Sequence, residues 1–311
     1  MGGVNSGQVG EGLPACVAAP RRSLGWSGLE PIRRRRAAAY GAGPAIDDAL
    51  DSARRLARYG VASTVGYSAA PEENGRAAAD VQLAAFDRLS AGDLDCYVSV
   101  KLSEVGFDAR LFAEFDAAAA RSGRRLHLDA LAPETVDTVW QLLEGTPRVG
   151  ALGVSFPGRW RRSADDASRA AELGLAVRVV KGQWAYGANG DVDPGEGFLR
   201  VVDRLCGHTG GVAVATHDVT LLTEALRRLS ATGTPCEVEL LYGLPFRAPA
   251  VAAWARGIPV RLYVPYGDVG ATYGITALKR NPTAAWWLIQ DLLLGKGKTW
   301  LSVSRSQGKQ R

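Results

Sequence analysis

The sequence predicts a (β/α)8 barrel, a closed parallel sheet inside a ring of helices, as a single domain. Three observations predict it. Eight short β-prone apolar runs recur between Val61 and Val264 with helix-like segments alternating between them, an order that implies parallel pairing through right-handed crossovers. The runs end in polar or charged residues, where such a barrel carries its site. No Gly-x-Gly-x-x-Gly turn follows the first run, which argues against an open doubly wound sheet.

In chain order, Pro44 to Arg58 places Ile46, Leu50, Leu56 and Ala57 near helical spacing, with Asp47 and Asp48 in the first turn where the helix dipole favours acids. This helix is expected below or beside the main domain. Val61 to Tyr67 is the first strand, and Arg76 to Leu89 reads as a helix. Cys96 to Ser103 is the second strand, followed by a helix from about Asp108 to Arg121. Leu126 to Asp129 is the third, and its helix begins near Pro133 and Glu134, residues suited to a first turn. Val149 to Ser155 is the fourth, with a helix from Ser163 to Leu173. Ala176 to Lys181 is the fifth, and a glycine-rich loop runs through Gly195 before a helix to Cys206. Val212 to Thr216 is the sixth, with a helix from Asp218 to Leu229, and Cys236 to Leu241 and Val260 to Val264 complete the set.

The chain has 311 residues, 47% of them hydrophobic, enough for a sizeable core. Residues 1–42 are rich in Gly, Ala, Pro and Arg without periodicity and are expected to be largely disordered. Residues 43–295 form the barrel, and 296–311 a basic tail. The net charge of +5 owes much to Arg33, Arg34, Arg35 and Arg36 and to Lys296, Lys298, Arg305, Lys309 and Arg311. No aromatic stacking set interleaves with these runs, so they read as solvated arms: no specific nucleic-acid partner, and at most peripheral contact with a membrane surface. Gly295-Lys296-Gly297-Lys298-Thr299 superficially resembles a phosphate loop but lacks the preceding strand and the full spacing. Cys16, Cys96, Cys206 and Cys236 have no metal-ligand spacing, which fits a reducing cytosol and no metal centre. No apolar stretch approaches the roughly 20 residues that span a bilayer, and the N-terminus lacks a signal-peptide core, so a cytoplasmic protein is expected.

The strand ends carry Lys101, Asp129, Arg178 with Lys181, Thr216 with His217, Glu239 and Tyr263. Alternation puts Lys101 with Ser99 and Asp129 with His127 on the inward face, since Val98, Val100 and Leu102 suit the helix layer. A guanidinium inside an apolar strand costs several kcal/mol to desolvate, so Arg178 requires an anion, a polar ligand or a structural carboxylate. Three chemistries use this set. A metallohydrolase draws on His127, Asp129, His217 and Glu239 but has no paired-histidine spacing. A Schiff-base enzyme uses Lys101 or Lys181 as nucleophile. A phosphate-rich cofactor is held by Arg178, Lys181, Thr216 and His217. A barrel without catalysis, serving as a binding or interaction module, is a fourth reading.

Six segments, in order, resemble the flavin-dependent proline dehydrogenase family: Val98-Ser99-Val100-Lys101-Leu102-Ser103, Leu128-Asp129-Ala130, Val177-Arg178-Val179-Val180-Lys181-Gly182, Ala215-Thr216-His217-Asp218, Leu241-Tyr242-Gly243, and Val260 to Gly267. The resemblance covers roughly residues 60 to 290. It implies a distorted (β/α)8 barrel that binds FAD and oxidises a carbon–nitrogen bond of a small-molecule amine by hydride transfer, with quinones as electron acceptors. It places Arg178 near the flavin N5, and Lys181, Gly182, Trp184, Thr216 and His217 around the dinucleotide. Lys101 and Asp129 resemble the pair lining the substrate side, and Tyr263 and Tyr273 the aromatics that wall the substrate ring.

Two departures stand out. Where the family follows its tyrosine with two arginines that clamp the substrate carboxylate, Tyr273 is followed by Thr276 and Ala277. Neither a hydroxyl nor a methyl replaces a bidentate guanidinium. Arg280 shares the helix face of Thr276 and Ala277 and stands where the family carries an acid. Gly153-Val154-Ser155-Phe156-Pro157-Gly158 offers no equivalent of the family's flavin-contacting glutamine, and Gln183-Trp184 stands where the family has Ala-Tyr. The expectation is a retained redox half and an altered substrate half, suited to proline or to a secondary amine without a free carboxylate.

Overall fold

The computed structural model describes residues 41–129, 133–182, 185–187 and 190–269. The expected N-terminal segment, apart from its last two residues, and the basic tail with its phosphate-loop-like stretch lie outside them. Eight parallel strands close into a barrel in chain order: β1 Ala62–Ser68, β2 Cys96–Val100, β3 Leu126–Leu128, β4 Leu152–Pro157, β5 Ala176–Val180, β6 Val212–Ala215, β7 Cys236–Leu241 and β8 Val260–Gly267. Closure is made by β1 and β8, paired from Ala62 with Arg261 to Ser68 with Gly267. The helices are α1 Ile46–Ala57, α2 Gly75–Ser90, α3 Ala109–Ser122, α4 Val136–Glu144, α5 Ser163–Glu172, α6 Pro194–Arg204, α7 Val219–Ala231 and α8 Arg247–Trp254.

The core is the layer between the outward strand faces and the helices. Val98, Val100, Leu126, Leu128, Val177, Val179, Val238 and Leu240 are buried there against Phe86, Phe115, Leu143, Phe198 and Leu226. Each large side chain taken from water contributes about 1.5–3 kcal/mol before entropy is subtracted. Helix starts are fixed by side chains: Asn74, Asp108, Asp193 and Asp218 each accept from backbone N–H groups of the first turn. Helix α1 covers the seam between β8 and β1, burying Ala49, Leu50, Ala53 and Leu56. It lies where a helix following the last strand sits in a regular barrel. No helix among the described residues is long and apolar enough to cross a membrane.

Some boundaries differ from expectation. Val149–Ala151 is a 3-10 turn rather than strand, and β4 begins at Leu152. Pro133–Thr135 is likewise a 3-10 turn that precedes α4. Strand β8 runs on to Gly267 through Pro265. Its pairing with β7 stops at Tyr263, so on that side the missing N–H of Pro265 meets no acceptor that needs it.

Candidate active site

The inward faces of the strands build a polar network upward from the middle of the barrel. Arg178 on β5 donates through Nε to Glu239 Oε2 at 2.6 Å and through Nη2 to Glu239 Oε1 at 2.9 Å. Glu239 on β7 also accepts from Thr64 Oγ1 at 2.7 Å and Tyr97 Oη at 3.1 Å. The second terminal nitrogen of Arg178 reaches Ser99 Oγ at 3.3 Å, Asp129 Oδ1 at 3.3 Å and Ser155 Oγ at 3.4 Å. The side chains of Arg178 and Glu239 are only 4% and 2% exposed. Burial alone would lower the guanidinium pKa, but the facing carboxylate of Glu239 outweighs it and holds the arginine charged, well above its ordinary value. The same burial, with Glu239 beside it, pushes the Tyr97 hydroxyl up to about 12. Of the three partners that Arg178 can take, the fold supplies the structural carboxylate.

Asp129 carries this network to the C-terminal end of the barrel, accepting on its other oxygen from Tyr263 Oη at 2.8 Å. The Arg178 guanidinium lies 5.3 Å from the centre of the Tyr263 ring. Gly66 on β1 makes room for this pose: a Cβ there would stand 2.0 Å from the Tyr263 hydroxyl oxygen. At the end of β2, Lys101 Nζ donates to the Tyr67 carbonyl and to Ser68 Oγ, and stands 3.7 Å from Glu104. Burial raises the Glu104 carboxyl above its ordinary range despite that ammonium.

The ends of β5 and β6 form a different rim. Lys181, with 42% of its side chain exposed, pairs with Asp218 at 2.9 Å, and the Thr216 hydroxyl accepts from the Asp218 N–H at 3.2 Å. His217 accepts the Leu241 N–H on Nε2 at 3.0 Å, so its proton sits on Nδ1, which donates to the Pro245 carbonyl at 2.9 Å. Burial lowers its pKa. Both ring nitrogens are thus spent on backbone, and His217 offers a ligand its ring face rather than a donor. Gly182 has a left-handed φ of +93°, and a Cβ there would meet Pro157 at 2.7 Å. Its place is required by the turn as well as by any close approach of a ligand.

The structure therefore gathers Asp129, Arg178 and Tyr263 into one cluster, puts Lys101 on the neighbouring strand end, and sets Lys181, Thr216 and His217 on the β5–β6 rim. Tyr273, Thr276, Ala277, Arg280 and Trp184 lie outside the described residues. Sequence reasoning assigned no ligand role to Thr64, Tyr97, Ser99, Glu104 or Ser155, and named Glu239 only as a strand end and a metal-ligand candidate. The two glutamates at alternate positions of β7 were the available signal, because two acids on the inward face of a buried strand demand cations. Among the described residues no group of three or more His, Cys, Asp or Glu side chains is placed to hold a metal ion. The donor chemistry fits a flavin dinucleotide: a half-exposed ammonium at the rim for phosphate, and a fixed polar floor for a ring.

Fold and site together define a single-domain parallel (β/α)8 barrel with a charged interior whose network reaches the C-terminal strand ends. No family model matches the chain. It is 26% identical over 279 residues to a proline dehydrogenase of Deinococcus radiodurans, covering 82% of this chain and 89% of that protein. It is 24% identical over 270 residues to proline dehydrogenase 1 of Bacillus subtilis subsp. natto, covering 81% and 89%. Among solved structures it resembles proline utilization A from Bdellovibrio bacteriovorus, with a TM-score of 0.70 at 15% identity over 84% of this chain. A second likeness is proline utilization A from Corynebacterium freiburgense, TM-score 0.61 at 18% identity over 85% of this chain. The chain spans 34% of each of those two solved chains, and the likeness to them is one of fold. The chain is thus similar in sequence to proline dehydrogenases over about four fifths of its length, and its closed eight-stranded barrel is similar in fold to proline utilization A.

Proposed function

We propose that the protein is a flavin-dependent amine dehydrogenase of the proline dehydrogenase type. The observation that carries this reading is the chain from Glu239 through Arg178 and Asp129 to Tyr263, a fixed charge system that rises through the barrel and ends at the strand termini where catalysis belongs. Bound FAD supplies the two-electron acceptor for hydride from the carbon beside the substrate nitrogen. Lys181 would neutralise phosphate charge, Gly182 and Thr216 would meet the dinucleotide beside it, the His217 ring would offer it a face, and Trp184 is assigned to the same cofactor by the resemblance. Arg178 would lie near the flavin N5, as the resemblance implies. Lys101, Asp129 and Tyr263 face the substrate. Asp129, fixed by Arg178 and Tyr263, accepts from the amine, and Tyr263 with Tyr273 encloses its apolar body. Thr276, Ala277 and Arg280 replace the carboxylate clamp, so the substrate is proline held by Arg280 or a secondary amine lacking a free carboxylate. A quinone or a similar carrier takes up the electrons, in the cytoplasm or at a membrane surface.

The visible spectrum of the purified protein tests the cofactor. A yellow preparation releasing FAD on denaturation is expected, and a colourless one that FAD cannot reconstitute overturns the reading. Anaerobic mixing with amines then tests the substrate. L-proline is expected to leave the flavin oxidised while a secondary amine without a carboxylate bleaches it, and prompt bleaching by L-proline would show that Arg280 or another group replaces the clamp.

A further inference from the structure

The opposite end of the barrel holds a cavity of about 360 Å3 that opens at the N-terminal strand ends. It exists because one side of the barrel floor is built of small residues. Gly153, Ala176 and Ala213 stand at inward positions on the adjacent strands β4, β5 and β6, where a barrel ordinarily packs branched side chains. Ala176 and Ala213 line the space together with Val177, Val212, Pro235 and Pro259, an apolar wall.

The facing wall is polar and cationic. His127 is 1% exposed, and its Nε2 lies 3.0 Å from Ser155 Oγ. Its Nδ1 is enclosed without a hydrogen-bond partner among the described residues, against Gly153, where a Cβ would stand 2.3 Å from it. Arg124 Nε, in the same wall, is likewise buried without a partner. Arg125 at the mouth is exposed and has its guanidinium 5.3 Å from the centre of the Tyr97 ring. No ion pair or hydrogen bond of its side chain occurs among the described residues. Arg261 also lines the space, its nearest carboxylates being Glu237 and Asp95. Three arginines against two acids leave the wall net positive, and burial beside Arg178 and Arg125 keeps His127 neutral, well below its ordinary pKa.

We propose that this cavity is a binding site for a small organic carboxylate with an apolar body, its charge met by Arg125 at the mouth and its body lying against the Ala176, Ala213 and Val212 wall. A cation that is free to pair supplies most of the selectivity for an anion. The apolar wall excludes a fully hydrated ion as the preferred occupant. The site lies at the barrel end opposite Asp129 and Lys181 and does not rest on the flavin reading.

Titration calorimetry with benzoate as the probe, and with inorganic phosphate as the comparison, tests the proposal on the intact chain. Benzoate is expected to bind once per chain and more tightly than phosphate. Arg125→Gln, an exposed change outside the proposed catalytic groups, is expected to weaken benzoate about tenfold, as loss of one charge-assisted contact implies, while leaving Tm in place. Ala213→Leu, which fills the cavity, is expected to abolish binding. Absence of benzoate binding at millimolar concentration overturns the site, as does phosphate binding at least as tightly as benzoate, or an affinity unchanged in Arg125→Gln. The arginine variant decides the matter even where the leucine variant fails to fold.

Discussion

Strand β7 turns two glutamates, Glu237 and Glu239, to the barrel interior two residues apart, and each takes an arginine. The two pairs are alike in chemistry and opposite in setting. Glu239 and Arg178 are dry, with Thr64, Tyr97, Ser99 and Ser155 completing the shell. Arg261 donates from Nε to both oxygens of Glu237 at 2.9 Å, and also to the Ser63 carbonyl at 2.7 Å and to Asp95 at 2.8 Å. The Asp95 side chain is 75% exposed, so water reaches the second pair. Position along the strand therefore decides whether the same ion pair is a sealed element of the interior or one side of an accessible cavity.

Removing one partner breaks this comparison open. Glu239→Ala leaves a guanidinium buried without its carboxylate, and a loss of about 3–5 kcal/mol is expected. Glu237→Ala leaves Arg261 with Asp95, the Ser63 carbonyl and water, and about 1 kcal/mol is expected. Chemical denaturation of the two variants measures the contrast, and equal losses would show that water reaches both pairs alike.

How far the sequence discloses this arrangement follows from the range of each interaction. Period-2 alternation is local, so the strands and the inward setting of Ser99, Lys101, His127 and Asp129 are readable from neighbouring residues. A requirement for an anion at Arg178 is readable too, because a lone charge in an apolar run is costly. Its partner Glu239 lies 61 residues away, and only closure of the barrel brings the two together. Helix α8 escapes a sequence reading for a local reason. It has eight residues, carries Pro249 in its first turn, and starts at Phe246 with no side-chain cap, so no start signal marks it. The saturation of His217 is equally hidden, since its partners are backbone atoms of Leu241 and Pro245, whose positions no side-chain pattern reports.

The sealed network has one steric requirement at its outer end. In Gly66→Ala the new methyl displaces the Tyr263 hydroxyl, so its hydrogen bond to Asp129 is lost. A hydrogen bond to a charged group is worth about 1.5–3 kcal/mol, and a stability loss in that range is expected, with amine turnover falling further than Tm suggests. Full turnover in a folded Gly66→Ala protein would remove Tyr263 from the working site.

Acid reaches the two ends through histidines. His127 and His217 both have folded pKa values lowered by burial. The unfolded chain therefore binds protons at a higher pH than the folded chain does. Stability is full above about pH 6.5 and falls as the pH drops below it, by at most about 1.4 kcal/mol per pH unit for each ring. Glu104, with its pKa raised by burial, acts in the opposite sense nearer the carboxylate range, so the histidine effect is read above about pH 5.5. Denaturant midpoints between pH 7.5 and 5.5 are expected to decline, with a shallower decline in His217→Asn. An identical slope in that variant would assign the effect to His127 alone.

The smallest stability effect belongs to the rim. Lys181 and Asp218 form a pair with 42% and 38% of their side chains exposed, in which solvent screening leaves under about 0.5 kcal/mol for folding. Asp218 has a second task as the cap of α7, and for that reason the lysine is the cleaner one to change. Lys181→Met is expected to keep the wild-type denaturation midpoint and to lose FAD on gel filtration that the wild type retains, since a pyrophosphate stripped of its nearest cation is held less tightly. The Glu239 variant reverses the pattern, with a large loss of stability at the buried partner of Arg178 rather than at a residue proposed to meet the phosphates. If Lys181→Met instead retained FAD fully, the rim pair would be an ordinary surface ion pair, and the dinucleotide would have to be held by other strand ends.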